Sequence, residues 1–195
     1  MFPRPDFFAG ARLNFAENLL FPSAGPDPSA TALITATEQG PVVPTTWAAL
    51  REAVRGCSNA LRAAGLVPGD VVAGFVSNHA QAIVAMLGAA AVGAIWTGIS
   101  PDNGVSAVLD RLVQIKPAVL FADNGMVYNG KDWSSVAKTL EIAGALKKGG
   151  LRRVVVIRNL EGDLGLDELR ELSLDAEDYD DFLSRYDPPL PPQPA

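Results

Sequence analysis

The stretch whose residue types and spacing come nearest to chemistry is "GMVYNGKD", Gly125 to Asp132. It fits G-x-x-x-x-G-K, most of a phosphate-binding loop. In such a loop small residues let backbone N–H groups wrap a phosphate, the lysine (here Lys131) reaches the terminal phosphates, and a Ser or Thr hydroxyl holds Mg²⁺. The hydroxyl position is Asp132, which sets a carboxylate beside the phosphates instead. Met126, Val127 and Tyr128 in the interior favour extended backbone over a tight wrap. A surface strand and turn is therefore expected, with a nucleotide loop as the sharper alternative.

Other reactive side chains are sparse. His79 is the only histidine and stands in "SNH", Ser77 to His79, with no cysteine or carboxylate cluster around it in the sequence. That is a poor metal site. Ser77 is not in a G-x-S-x-G elbow, so a Ser-His-Asp hydrolase has little support, and capping of the next helix is the expected role of the group. Cys57 lies on an apolar helical stripe, which reads as core. "DYDD", Asp178 to Asp181, lacks calcium-loop spacing and reads as solvated charge. No catalytic residue and no metal site is assigned.

Such residues act only if strands and helices hold them in place. "LNFAENLL" predicts a short helix capped by Asn14, with Glu17 reaching back to the cap. "TALITA" (31–36) predicts a strand. Trp47, Leu50, Val54, Cys57 and Leu61 recur at helical spacing, after a Thr46 cap and before a Gly65 stop. "VVAGFV" (71–76) is a short apolar run without alternation, as in a strand covered on both faces. "HAQAIVAMLGAAAVG" predicts a helix, "AIWTG" a strand, and "SPDNGVSAVLDRLVQIK" a helix with Pro101 in its first turn. "PAVLFA" is a strand, "SSVAKTLEIAGALKK" a helix, and "RRVVVI" (152–157) a last buried strand. The acidic stretch to Tyr186 predicts one or two exposed short helices. This alternation implies an α/β fold, a parallel sheet with helices on both faces.

Composition narrows the partners. Of 195 residues, 48% are hydrophobic and 19% charged, enough for a sizeable core. The net charge of −6 argues against nucleic acid, whose phosphates select clustered Lys and Arg. Residues 151–195 carry 11 acidic and 5 basic side chains, so the whole excess lies there. A single cysteine excludes an internal disulfide and fits a reducing, cytoplasmic setting. No Asp, Glu, Lys or Arg occurs from Val71 to Pro101. The "SNH" group interrupts that run, and Ile83 to Ile99 is rich in Ala and Gly, so a strand, a turn and a closely packed helix explain it better than a membrane span.

Several stretches taken together resemble the adenylate-forming acyl-CoA synthetases. They are "FFAGARLNFAENLL", then "TTWAALREAVRGCSNALRAAGLVPGDVVAGFVSN", then "GAIWTGISPDNGVSAVLDRLVQIKPAVLFA". Trp96, "SPD" and "VYNGK" are most similar to the acetoacetyl-CoA synthetase branch. One departure is Ala49, where family members often carry an acid that completes the capping box at Thr46. The resemblance implies the large domain of an acid–thiol ligase. Such enzymes join a short acid, acetoacetate or a similar one, to CoA through an acyl-adenylate, using ATP and Mg²⁺. It also implies a CoA entrance, with Lys131 near a CoA phosphate and Tyr128 beside it.

The family's phosphate loop, rich in Ser, Thr and Gly and ending in Pro-Lys, would follow the acidic stretch. This sequence has "PPLPPQPA" there. The expectation is a partial AMP-dependent synthetase domain over 1–187 and a proline-rich disordered tail over 188–195. Such a chain would be truncated before its ATP site, inactive alone, and expected to bind ATP, Mg²⁺ and CoA poorly. A non-catalytic interaction module that self-associates through an exposed sheet edge is the alternative from another class, and a standalone nucleotide-binding domain a third.

Overall fold

A computed structural model of the chain describes residues 8–38 and 40–185. Helix α1 (Phe15–Leu20) begins at Asn14, whose side chain accepts the Glu17 N–H at 3.1 Å and donates to the Ala90 carbonyl at 2.8 Å. The cap thus also anchors the helix to the body of the molecule. β1 (Thr31–Thr35) pairs antiparallel with β2 (Val43–Thr46), a strand the sequence reading omitted. Pro44 hides it, because proline is tolerated only at sheet edges, and a two-stranded ribbon is all edge. α2 (Trp47–Ala63) starts at Thr46, whose hydroxyl accepts the Ala49 N–H at 3.2 Å. It stops at Gly65, where φ is +79° and the N–H groups of Gly65 and Leu66 return to the carbonyls of Arg62 and Leu61.

The remaining elements follow in order. They are β3 (Val71–Phe75), α3 (Ala80–Ala91), β4 (Ile95–Ile99), α4 (Val105–Ile115), β5 (Val119–Asp123) and a hairpin of β6 (Gly125–Tyr128) and β7 (Lys131–Ser134). Then come α5 (Val136–Lys147), β8 (Arg153–Ile157), α6 (Leu166–Glu171), β9 (Asp175–Asp178) and α7 (Tyr179–Arg185). Among the described residues five strands form one all-parallel sheet in the order β4-β3-β5-β8-β9.

Alternate side chains feed two cores, as the two-residue period of a strand requires. Val72, Val119, Phe121, Val155 and Ile157 pack under α2, α3 and α7. Ala73, Phe75, Leu120, Val154 and Val156 pack under α4, α5 and α6. This is the expected α/β sheet with helices on both faces. The chain moves outward from β3 to β4 with its helix on the first face, then back across to β5 with its helix on the second. Swapping faces when the direction reverses keeps every crossover of one hand.

Small residues make the close approaches. A Cβ on Gly74 would lie 2.7 Å from the Trp96 ring, so the glycine leaves room for the indole, which also meets Phe121 at 6.3 Å between ring centres. A Cβ on Gly88 would lie 2.6 Å from Cys57 Sγ, which is how α2 and α3 come together. The Ala- and Gly-rich run is thus a strand, a turn and a packed helix. Among the described residues no helix is long and apolar enough to cross a membrane.

Three expectations need correction. α4 begins at Val105 after a Gly104 cap, not at Pro101. The carbonyls of Pro101 and Asn103 accept from Lys138 Nζ at 2.9 and 3.2 Å, so they serve a neighbouring helix rather than a first turn of their own. "RRVVVI" is not the last strand, because β9 follows and pairs with it. The acidic stretch is not simply exposed helix: Tyr179 and Phe182 of α7 are buried under α2, and Glu177 of β9 is buried too. Arg153 and Arg185 both ion-pair with Glu177, Arg185 at 3.0 Å, and Arg153 also reaches Asp175 at 2.9 Å. Paired in this way, acidic residues can enter a sheet that unpaired ones could not. The proline-rich tail at 188–195 lies outside the described residues.

Candidate functional site

In an open parallel sheet the favoured ligand crevice lies beyond the carboxyl ends of the strands, where adjacent strands send their connections in opposite directions. Here that place is between β3 and β5. It is filled by the chain itself. Asp123, the last residue of β5, is fully buried. Its Oδ2 accepts the Ser77 N–H at 2.7 Å and its Oδ1 faces His79 Nε2 at 2.9 Å. His79 caps α3: its Nδ1 accepts the Ala82 N–H at 3.1 Å. That contact makes Nδ1 an acceptor, so the ring hydrogen sits on Nε2 and is donated to Asp123.

Ser77, His79 and Asp123 are therefore brought together, but not as a hydrolytic triad. A triad needs the ring nitrogen opposite the carboxylate to face the serine hydroxyl. Here that nitrogen faces a backbone N–H, and Ser77 Oγ is buried without a partner among the described residues. The capping role expected from "SNH" holds for His79. Asp123 was the partner that sequence reasoning missed, being 44 positions away. Beside this network an open cavity of about 450 Å³ is lined by Ser77, Asn78, Met86, Trp96, Ser100 and Met126. A second groove, of about 540 Å³, lies between α1 and α2. Arg51 crosses it, donating to the Leu20 carbonyl at 2.8 Å and lying over Phe21 and Trp47.

"GMVYNGKD" is a hairpin, as the strand-and-turn reading expects, and not a phosphate wrap. Tyr128 and Lys131 pair across a two-residue turn, with φ of +52° at Asn129 and +69° at Gly130. Positive φ at both positions is what a type I′ turn needs, and Asn-Gly is its favoured sequence. Gly125 serves packing: a Cβ there would lie 2.4 Å from Leu160 and 2.6 Å from the Trp133 carbonyl. Lys131 is exposed, and Tyr128 is 63% exposed beside it. The two turn N–H groups, of Asn129 and Gly130, donate to Glu38 Oε1 and Oε2, each at 3.1 Å. Sequence reasoning did not find Glu38.

Cys57 is core, as its stripe predicts. It is fully buried, and burial pushes its thiol up to about 12. Burial, and then the neighbouring Cys57 and Asp180, likewise push the Tyr179 phenol well above its ordinary value. Among the described residues no group of three or more His, Cys, Asp or Glu side chains is disposed to hold a metal ion.

The described sheet, caps and hairpin span nearly the whole region over which the model of the AMP-binding enzyme family matches, residues 21–194. The chain belongs to the AMP-binding enzyme family. Within it the chain is similar to the malonamoyl-CoA synthetase of Penicillium aethiopicum, 51% identical over 164 residues, which is 83% of this chain and 22% of that protein. It is also similar to the acetoacetyl-CoA synthetase of Gallus gallus, 42% identical over 154 residues, 78% of this chain and 22% of that protein. The structure is similar to that of the acetoacetyl-CoA synthetase from Streptomyces lividans. The TM-score is 0.77 at 36% identity, covering 91% of this chain and 26% of that one. The chain thus spans about a fifth of the length of the curated relatives it matches.

Proposed function

We propose that the chain is the opening scaffold of an ATP-dependent acid–thiol ligase that joins a short β-carbonyl acid to CoA. The single observation that carries this reading is the match to malonamoyl- and acetoacetyl-CoA synthetases over most of the chain. Malonamate and acetoacetate share a carbonyl two carbons from the carboxylate and differ only in an amino group against a methyl group. A pocket for one therefore needs little change for the other. In this reading residues 1–187 form one folded unit, and the groups that grip ATP and Mg²⁺ lie beyond these 195 residues.

The residues present do not fit a triphosphate. On the β8–β9 side Arg153, Arg158, Arg170 and Arg185 each face a carboxylate, so among the described residues there no set of unpaired cations converges on a leaving pyrophosphate. They do fit the phosphate end of CoA at the hairpin. Lys131 supplies a cation, Tyr128 a flat apolar neighbour, and the turn a pair of N–H donors that Glu38 holds in the absence of ligand.

The test has two arms. The purified chain, given ATP, CoA and either acid, is expected to form no acyl-CoA by mass spectrometry. Residues 21–187, grafted in place of their counterpart in the Streptomyces lividans enzyme, are expected to support ligation. In that graft Lys131→Ala should raise KM for CoA about tenfold, the order of one charged hydrogen bond, and leave KM for ATP unchanged. Turnover by the chain alone, or a folded graft that is silent, would overturn the reading.

A second reading, self-association, has support in β4. This edge strand carries no charged residue, and its Ile95 is 56% exposed. Uncharged, exposed edges pair readily. Sedimentation of the chain as a monomer at high concentration would dismiss it.

A further inference from the structure

We propose that the Asn129–Gly130 turn is an anion receptor held closed by the chain's own Glu38, and that a phosphate monoester exchanges with that carboxylate. Two consecutive N–H groups with positive φ converge on one acceptor, the geometry of an anion-binding nest. The acceptor comes from 91 positions away, so local chain geometry does not bring it there. Each carboxylate oxygen takes one N–H at 3.1 Å, and two oxygens of a phosphate can present the same fork.

The surroundings favour phosphate. Lys131 follows the turn directly and pairs with Tyr128. Strand alternation puts Trp133 on their face of the hairpin and Asp132 on the other. Trp133 is 55% exposed, so two aromatic side chains and a cation stand beside the receptor. A phosphate monoester brings more negative charge than a carboxylate and three acceptor oxygens. Glu38 is exposed, and can leave without uncovering a buried charge.

This inference rests on the CoA-facing reading of the hairpin only for the source of the phosphate, which would then be the ribose 3′-phosphate of CoA. Free phosphate has the same chemistry. The experiment therefore follows the Asn129 and Gly130 amide resonances of the 195-residue chain. Inorganic phosphate, CoA and dephospho-CoA are titrated in turn, and affinities are taken by calorimetry.

At a ligand concentration that half-fills Glu38→Gln, these amides should move little in the unaltered chain. If Glu38 fills the receptor about nine-tenths of the time, Glu38→Gln tightens CoA binding about tenfold. Dephospho-CoA, which lacks the 3′-phosphate, should gain nothing. Glu38→Asp keeps the charge but shortens the reach, so it too should tighten binding, whereas an effect of net charge alone would leave it unchanged. If inorganic phosphate moves both amides in Glu38→Gln but CoA binds no better than phosphate, the receptor stands and the CoA-facing reading falls. If neither ligand moves them in Glu38→Gln, or if Glu38→Asp binds as the unaltered chain does, the receptor is refuted.

Discussion

Asp123 and Glu38 both accept backbone N–H groups from distant parts of the chain, and they have opposite consequences. Asp123 sits at the switch point of the sheet, fully buried, holding the Ser77 N–H and the His79 ring. Glu38 sits at the surface, holding the N–H groups of Asn129 and Gly130. The donor chemistry is the same in both. Removing a buried carboxylate leaves each donor that it held unsatisfied, at about 1–3 kcal/mol apiece, because water cannot reach in to replace it. An exposed contact of this kind contributes about 0–1 kcal/mol, because water can take its place. The first carboxylate is a fixture of the fold, and the second can exchange. A buried polar network fixed within the favoured crevice is thus weaker evidence for a ligand site than an exposed contact whose occupant can leave.

The largest expected effect concerns how closed the interior is. With its thiol pushed up to about 12 from an ordinary 9.0, Cys57 has about a thousandth of the usual thiolate at pH 8. It should react with a disulfide reagent at least that much more slowly in the folded chain than in urea. Reaction at the free-thiol rate without unfolding would mean that the interior beside the crevice is open. The same group makes stability fall with pH. Between about 9 and about 12 the unfolded thiol loses its proton while the buried one keeps it, so the unfolded state binds fewer protons.

Next, Asp123→Ala should cost about 2 kcal/mol or more in urea unfolding, since it strands the Ser77 N–H and the His79 ring. A loss below about 1 kcal/mol would erase the contrast with Glu38. Gly88→Ala should follow at about 1–3 kcal/mol, because its Cβ would press on Cys57 Sγ and force α2 and α3 apart. A neutral result would show that the helices can shift. The smallest effects belong to the hairpin surface. Glu38→Gln and Lys131→Ala should each change stability by less than about 0.5 kcal/mol, whatever they do to phosphate binding. A clear loss in either would make the hairpin contact structural and join the two regions into one class.

Much of this contrast was legible in the residues. Met126, Val127 and Tyr128 favour extended backbone, and with Asp132 in the hydroxyl position they outweighed the partial phosphate-loop pattern. His79 as a cap was legible from its place between a buried strand and an Ala-rich helix. Its partner was not, because Asp123 belongs to a strand that neighbours β3 only through the crossover of α4. Glu38 gave no signal, since a glutamate in a polar loop looks the same whether or not a distant turn donates to it. β9 was misread because three of its four residues are acidic, and only the arginines of β8 and α7 make burial of Glu177 tolerable.

By itself the sequence determined what depends on near neighbours along the chain. Those are the apolar runs of the sheet, the Asn14, Thr46 and His79 caps, the Gly65 stop and the Asn-Gly turn, all governed by backbone sterics and hydrogen bonds a few residues long. The tertiary structure alone decided which charges meet. Asp123 with His79, Glu177 with two arginines, and Glu38 with the hairpin turn are joined across 8 to 92 positions. The energy of a charge depends on its burial and its partner, and both exist only once the sheet has assembled.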